Sequence, residues 1–314
     1  MREIVVFAGG SHPALAAEIC SRLGAPLSPS ETKRFTNDCL EAQLKANCRE
    51  RDVYIIQTLS APVQEHLVEL LLMIDAARGA SAARITAVMP FYAYARSDKK
   101  DAPRISIGGR LMADLLATAG AGRVLTVALH SPQVHGFFGV PVDHLHALFE
   151  LAQHFRGRDL SNTVVVAPDL GRAKDAASFA RRLGVGVALG AKQRFSDTDV
   201  RISAIIGETA GKDVIILDDE IAGGATMIEV LKRLRERGIG RVRIACTHGL
   251  FGRHALERLA SQPEVDEIVT MNTVPIPTEG AGGKLTVLSV APALAEAIRR
   301  IHEGESVSEL FQDA

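Results

Sequence analysis

Neither sign of charge dominates this chain. Its 36 lysines and arginines stand against 37 aspartates and glutamates, a formal net charge of −1 over 314 residues. That balance excludes a broad attraction to nucleic acid or to an acidic membrane surface. No apolar run reaches the eighteen or so residues that a membrane-spanning helix requires. The start, Met1-Arg2-Glu3-Ile4-Val5-Val6-Phe7, is a short strand and too brief for the apolar core of a secretion signal. Cysteine is scarce and scattered: Cys20, Cys39, Cys48 and Cys246 show no CxxC spacing, which argues against zinc and for reduced thiols in the cytoplasm. No Ser/His/Asp or Cys/His arrangement for covalent catalysis stands out either.

What is present is an alternation of strand and helix patterns. A chain of this length is comfortable for two domains of about 150 residues each. Its 47% hydrophobic content and 27 glycines fit an α/β protein. Strands are expected at Ile4–Phe7, Val53–Gln57, Arg84–Met89 and Val124–Leu129, and again from Val164–Ala167 onward, with helices between them. Such alternation implies mainly parallel sheets with right-handed crossovers. One internal echo supports duplication. Gly122-Arg123-Val124 reaches His130 with the spacing by which Gly240-Arg241-Val242 reaches His248.

The stretch Val214-Ile215-Ile216-Leu217-Asp218-Asp219-Glu220-Ile221-Ala222-Gly223-Gly224-Ala225-Thr226 organises the rest. Four apolar residues read as a strand buried on both faces, two carboxylates follow it, and Thr226 opens the next helix. Backbone N–H groups around Gly223 and Gly224 can wrap a phosphate at that helix N-terminus. Asp218 and Asp219 repel a phosphate and suit sugar hydroxyls or a metal ion instead. Together they match a phosphorylated ribose; a plain strand-to-helix turn is the simpler alternative.

Other candidates are weaker alone. Lys192 and Arg194 leave a strand two residues apart and can both face a polyanion, ahead of a polar run, Ser196-Asp197-Thr198-Asp199, suited to closing over a substrate. A solvated basic turn has the same composition. His130 ends a strand, where a histidine is more often a hydrogen-bonded structural residue than a ligand. Asp169 suits a metal ion or a helix cap. Arg96 belongs to a charged loop that also holds Lys99, Lys100 and Arg104, either solvated or anion-binding. Phe35 sits among polar residues, where it either stacks a base or packs.

Taken in order, these residues resemble one family. Asp52-Val53-Tyr54-Ile55-Ile56-Gln57, Arg84 through Arg96, Gln133-Val134-His135-Gly136-Phe137-Phe138, Pro168-Asp169-Leu170-Gly171 and the Asp218-Asp219 loop are similar in order and spacing to ribose-phosphate pyrophosphokinases. The resemblance spans nearly the whole chain. It implies two similar phosphoribosyltransferase-type domains, 1–146 and 147–314, with the tail packing back on the first, and assembly into dimers or hexamers of dimers. It further implies transfer of the diphosphoryl group of Mg-ATP to ribose 5-phosphate. Lys192 and Arg194 then match the catalytic cations, and His130 and Asp169 match magnesium or Mg-ATP contacts. Phe35, Asn37, Asp38, Cys39, Arg96, Ser97 and His130 fall at the nucleotide. Asp218, Asp219, Ala222, Gly223, Gly224, Ala225 and Thr226 fall at ribose 5-phosphate.

This chain also departs from the family pattern. Ala128-Leu129-His130 replaces Asp-Leu-His, and Asn37-Asp38-Cys39 replaces Asp-Gly-Glu. Gly139 stands where an acidic residue is frequent, and Ala222-Gly223-Gly224-Ala225-Thr226 replaces Asp-Thr-Gly-Gly-Thr. A single lost charge-assisted hydrogen bond costs about 1.5–3 kcal/mol, enough to weaken a site without abolishing it. A divergent but active enzyme is the expectation, and a non-catalytic synthetase-associated subunit is the alternative.

Overall fold

The computed structural model describes residues 3–194 and 200–308, with the backbone alone for 192–194, 200 and 201. The chain divides into two units. The first runs to His146 and also takes in Thr273–Pro275 and the segment from Ser289 onward; the second is Ala147–Asn272 with Ile276–Leu288.

In the first unit the elements are β1 (Ile4–Ala8), α1 (Pro13–Leu23), β2 (Ser30–Arg34), β3 (Leu40–Leu44), β4 (Asp52–Ile56), α2 (Val63–Gly79), β5 (Arg84–Met89), α3 (Gly108–Ala119), β6 (Arg123–Val127) and β7 (Val142–Leu145). Five strands form one parallel sheet in the order β1-β4-β5-β6-β7. All five residues of β4 are buried, as a strand covered on both faces requires. One face sets Phe7, Val53, Ile55, Ala87 and Met89 against Leu67, Leu70 and Ile74 of α2 and Leu116 of α3. β2 and β3 form a separate antiparallel hairpin, Ser30 opposite Leu44. No hairpin is predicted here, because β2 (Ser-Glu-Thr-Lys-Arg) is polar throughout and the short apolar alternation of β3, Leu40-Glu41-Ala42-Gln43-Leu44, does not by itself announce a strand pair.

The helix near the C-terminus, α8 (Ala291–Glu303), packs against α1 in this unit. A division at 146/147 predicts it in the second domain instead. Its buried face, Leu294, Ala297, Ile298 and Ile301, needs an apolar cover, and α1 turns Leu15 and Ile19 inward. Polar ties fix the attachment. Asp52, fully buried, accepts from Arg84 Nε at 3.1 Å and lies 2.8 Å from His302 Nδ1. Ser289 Oγ donates to Glu18 at 2.7 Å.

The second unit contains α4 (Leu148–Phe155), β8 (Thr163–Ala167), α5 (Ala173–Leu183), β9 (Gly186–Arg194), β10 (Val200–Ile206), β11 (Asp213–Ile221), α6 (Ala225–Arg235), β12 (Val242–Gly249), α7 (Ala255–Ala260), β13 (Val265–Met271) and β14 (Leu285–Leu288). Its sheet runs β10-β9-β8-β11-β12-β13-β14, and all neighbours are parallel except β9 and β10. Strand order reverses here. From β8 the chain moves outward through α5 to β9; from β11 it moves the opposite way through α6 to β12. The adjacent carboxyl ends of β8 and β11 are therefore the switch point of the sheet, the position at which open α/β sheets hold ligands. Among the described residues no helix is long and apolar enough to cross a membrane.

Candidate active site

Asp218 and Asp219 lie inside β11, which runs on to Ile221; the sequence reading ended the strand before them. Pairing explains the extension, since Asp218, Glu220 and Ile221 stay in register with Cys246, His248 and Gly249 of β12. Asp218 Oδ1 accepts the Asp219 N–H at 2.9 Å. The buried Asp219 faces Arg172, whose Nε lies 3.6 Å from Oδ1. Arg172 also reaches Asp175 at 3.1 Å. Thus the β8–α5 connection supplies both Asp169 and a cation that offsets one carboxylate of β11. The sequence predicts no role for Arg172. No local signal marks it, because β8 and β11 are neighbours only in the folded sheet.

The glycine turn bends the chain from β11 into α6. Helix α6 starts at Ala225, with Gly224 as its N-terminal boundary residue and no side chain capping it. Thr226 accordingly lies within the helix and does not open it. Gly224 has φ 73°, and a Cβ there would stand 3.1 Å from Ala255 Cβ. Only glycine meets both conditions without strain. The Phe251 N–H donates to the Ile221 carbonyl at 3.0 Å, closing the strand end. The first amides of α6 therefore retain the donor capacity and positive dipole end that suit an anion.

On the other side of the switch point, β9 passes close to Pro168. A Cβ at Gly190 would lie 2.5 Å from the Pro168 carbonyl oxygen. Lys192 and Arg194 follow on the same strand, their backbones opposite Ile202 and Val200. Their side chains, and the Ser196–Asp199 segment, lie outside the described residues.

The remaining candidates are in the first unit. Phe35 is 49% exposed at the β2–β3 hairpin tip. Its N–H donates to the Cys39 carbonyl at 2.9 Å, the Asp38 N–H returns to the Phe35 carbonyl at 2.9 Å, and Asn37 Oδ1 accepts the Cys39 N–H at 3.2 Å. Arg34 pairs with Asp38 and with Glu65 in the first turn of α2. The preceding residue, Gln64, donates to the Tyr94 hydroxyl at 3.5 Å. The hairpin tip and the turn holding Arg96 thus meet at the start of α2. Arg96 is exposed. Ser97 has a structural task, its Oγ accepting the Gly108 N–H at 2.8 Å where α3 begins. His130 lies beyond the carboxyl end of β6, beside β5, whose continuation carries Arg96. Among the described residues no group of three or more His, Cys, Asp or Glu side chains is arranged to hold a metal ion.

A mainly parallel sheet whose switch point is framed by an acidic strand end and a glycine-turned helix N-terminus defines an α/β protein of the phosphoribosyltransferase type. The chain belongs to the ribose-phosphate pyrophosphokinase family. A profile for the N-terminal domain of ribose phosphate pyrophosphokinase matches residues 4–120, and one for the phosphoribosyl synthetase-associated domain matches 199–312. A Streptomyces coelicolor protein provisionally named ribose-phosphate pyrophosphokinase is 68% identical over 311 residues, 99% of this chain and 98% of its own. The ribose-phosphate pyrophosphokinase of Deinococcus radiodurans is 53% identical, covering 98% of each chain. The crystal structure of phosphoribosylpyrophosphate synthetase from Mycobacterium smegmatis superposes with a TM-score of 0.90 at 39% identity, covering 96% of this chain and all of that one.

Proposed function

We propose that the chain transfers the β,γ-diphosphoryl group of ATP to the anomeric hydroxyl of ribose 5-phosphate, yielding phosphoribosyl pyrophosphate and AMP. The observation that carries this is the switch point itself. Asp218 and Asp219 stand at the carboxyl end of β11, and the amides of 223–226 follow at the start of α6. In this assignment the amides, with Ala222 and the Thr226 hydroxyl, hold the 5-phosphate, and the carboxylates hold ribose hydroxyls. The hydroxyl oxygen forms a bond to the β-phosphorus as the bond from that phosphorus to the α,β-bridging oxygen breaks. AMP leaves, and the hydroxyl proton is released.

Such a transfer asks the protein for positioning and charge stabilisation, not for a nucleophilic side chain. Lys192 and Arg194 are assigned to the migrating diphosphoryl group, where they neutralise charge and disfavour attack by water. Phe35, Asn37, Asp38, Cys39, Arg96, Ser97 and His130 are assigned to the nucleotide. Magnesium, which takes oxygen ligands and keeps several waters, would be carried chiefly on the phosphates, with Asp169 the candidate carboxylate ligand and His130 the other candidate contact. When bound it offsets phosphate charge. Assembly into a homo-oligomer and a cytoplasmic setting complete the proposal.

The test is AMP release from Mg-ATP by the purified protein, with and without ribose 5-phosphate and at several phosphate concentrations. Sugar-dependent AMP is the expected result. No AMP across a range of divalent metals, with nucleotide still bound, would refute catalysis and favour a non-catalytic associated subunit.

A further inference from the structure

The turn that carries His130 is secured by a second histidine. Immediately after β6, Ala128 adopts φ 44°, a left-handed conformation that a residue with a Cβ keeps only where its neighbours hold it. Two hydrogen bonds do so. The Ala128 N–H donates to the Leu145 carbonyl at 2.8 Å, and the Leu129 N–H donates to Nε2 of His144 at 2.8 Å. Both acceptors belong to β7. That strand is aligned with β6, Thr126 opposite His144 and Val127 opposite Leu145, and an Arg123–Asp143 ion pair of 2.5 Å joins the two strands.

The chemistry of this contact is specific. An imidazole accepts at Nε2 only when that nitrogen carries no proton, so the ring proton resides on Nδ1. The His146 ring lies against that of His144, with centroids 4.6 Å apart. Leu129 is 4% exposed, so removing the acceptor would strand a buried amide, which is costlier than losing an exposed hydrogen bond. A turn already in an unfavoured conformation would then relax, and the residue it presents next is His130.

We propose that His144 is a positioning residue for the nucleotide end of the site, holding the Ala128-Leu129-His130 turn through the Leu129 amide. The proposal rests on the assignment of His130 to the nucleotide. His144 itself touches no reactant in this role; its effect passes through one backbone hydrogen bond.

The experiment compares His144→Leu, His144→Gln and His130→Ala in the full-length protein. It measures kcat, the KM for each substrate, the calorimetric Kd for Mg-ATP, and Tm. His144→Leu is expected to weaken ATP binding about tenfold, the size set by one stranded amide, and to leave the KM for ribose 5-phosphate unchanged. His144→Gln keeps an acceptor for the Leu129 N–H and is expected to recover most of the loss. His130→Ala should show the same ATP-sided defect. Unchanged ATP affinity in His144→Leu overturns the proposal. A parallel fall in Tm and in both KM values, without rescue by Gln, marks a purely structural residue and also overturns it. Unchanged ATP affinity in His130→Ala removes the function being positioned. Failure of the enzymatic reading appears separately, as absence of sugar-dependent AMP from the unaltered protein, and the calorimetric comparison still decides the role of His144.

Discussion

Neighbouring glycines in the central turn have different reasons to be glycine. Gly224 combines φ 73° with a close approach to Ala255, whereas a Cβ at Gly223 would meet nothing within 4 Å. Gly224→Ala is therefore expected to cost about 1–2 kcal/mol, and Gly223→Ala to stay within about 0.5 kcal/mol, both read from urea denaturation midpoints. Equal costs would mean that the turn differs from the one described. The thiols differ in the same residue-specific way. Cys39 is exposed and the other three are buried. Burial pushes the Cys246 thiol up to about 12 and that of Cys20 up to about 11. Since the thiolate is the reactive form, a group near 12 is roughly one part in ten thousand thiolate at pH 8. A maleimide should then label Cys39 alone in the folded protein, and Mg-ATP should slow that labelling if the hairpin tip meets nucleotide. Labelling of Cys39 at the same rate with saturating Mg-ATP would count against the hairpin assignment. For Lys192→Ala, the assignment to charge stabilisation predicts a loss of turnover of about a hundredfold or more with little change in Tm. Near-normal turnover would remove Lys192 from the catalytic set.

At the level of elements, legibility followed the strength of local pattern. The buried strands β4, β5, β8 and β11 were plain because their apolar runs need cover on both faces. The β2–β3 hairpin was not, since β2 is polar throughout, the alternation of β3 spans only five residues, and the position of the pair depends on contact with α2. The start of α6 was misplaced because Gly224 bounds the helix through its backbone conformation, where a capping Thr would have been the usual signal. Helix α8 illustrates charge acting within one element. Hydrogen bonds from Arg299 and then Arg300 hold the Glu296 carboxyl down to about 2, against a usual value of 4.5. A depressed carboxylate contributes stability above its unfolded value and loses it as pH falls through the folded one. The Tm advantage of the unaltered protein over Glu296→Gln is thus expected at pH 7 and should shrink between about 4.5 and about 2. Because Glu296 is largely solvated, the difference will be small. A gap that is constant with pH would exclude the ion pairs as its source.

At the scale of the whole molecule, the first unit is completed by a helix from the far end of the chain. Burying Leu294, Ile298 and Ile301 contributes on the order of 5–9 kcal/mol, comparable with the net stability of an entire domain. A chain ended after Leu288 should consequently lose the fold of the first unit, seen as loss of soluble yield and of its calorimetric transition. A soluble product that keeps that transition would show that α8 is dispensable. The internal echo also has a counterpart in the fold. Its two copies lead into β6 and β12, which hold the fourth place in the parallel runs β1-β4-β5-β6-β7 and β9-β8-β11-β12-β13-β14. The sequence alone determined the α/β class, the family resemblance and the glycine turn between β11 and α6, because strands and glycine turns are encoded within a few residues. Only the tertiary structure decided the adjacency of β8 and β11, the pairing of Arg172 with Asp219, the return of α8 and the hold of His144 on Leu129. Those contacts join residues from 15 to 271 positions apart. Sheet order and packing create them, and no local pattern records which distant strand will be the neighbour.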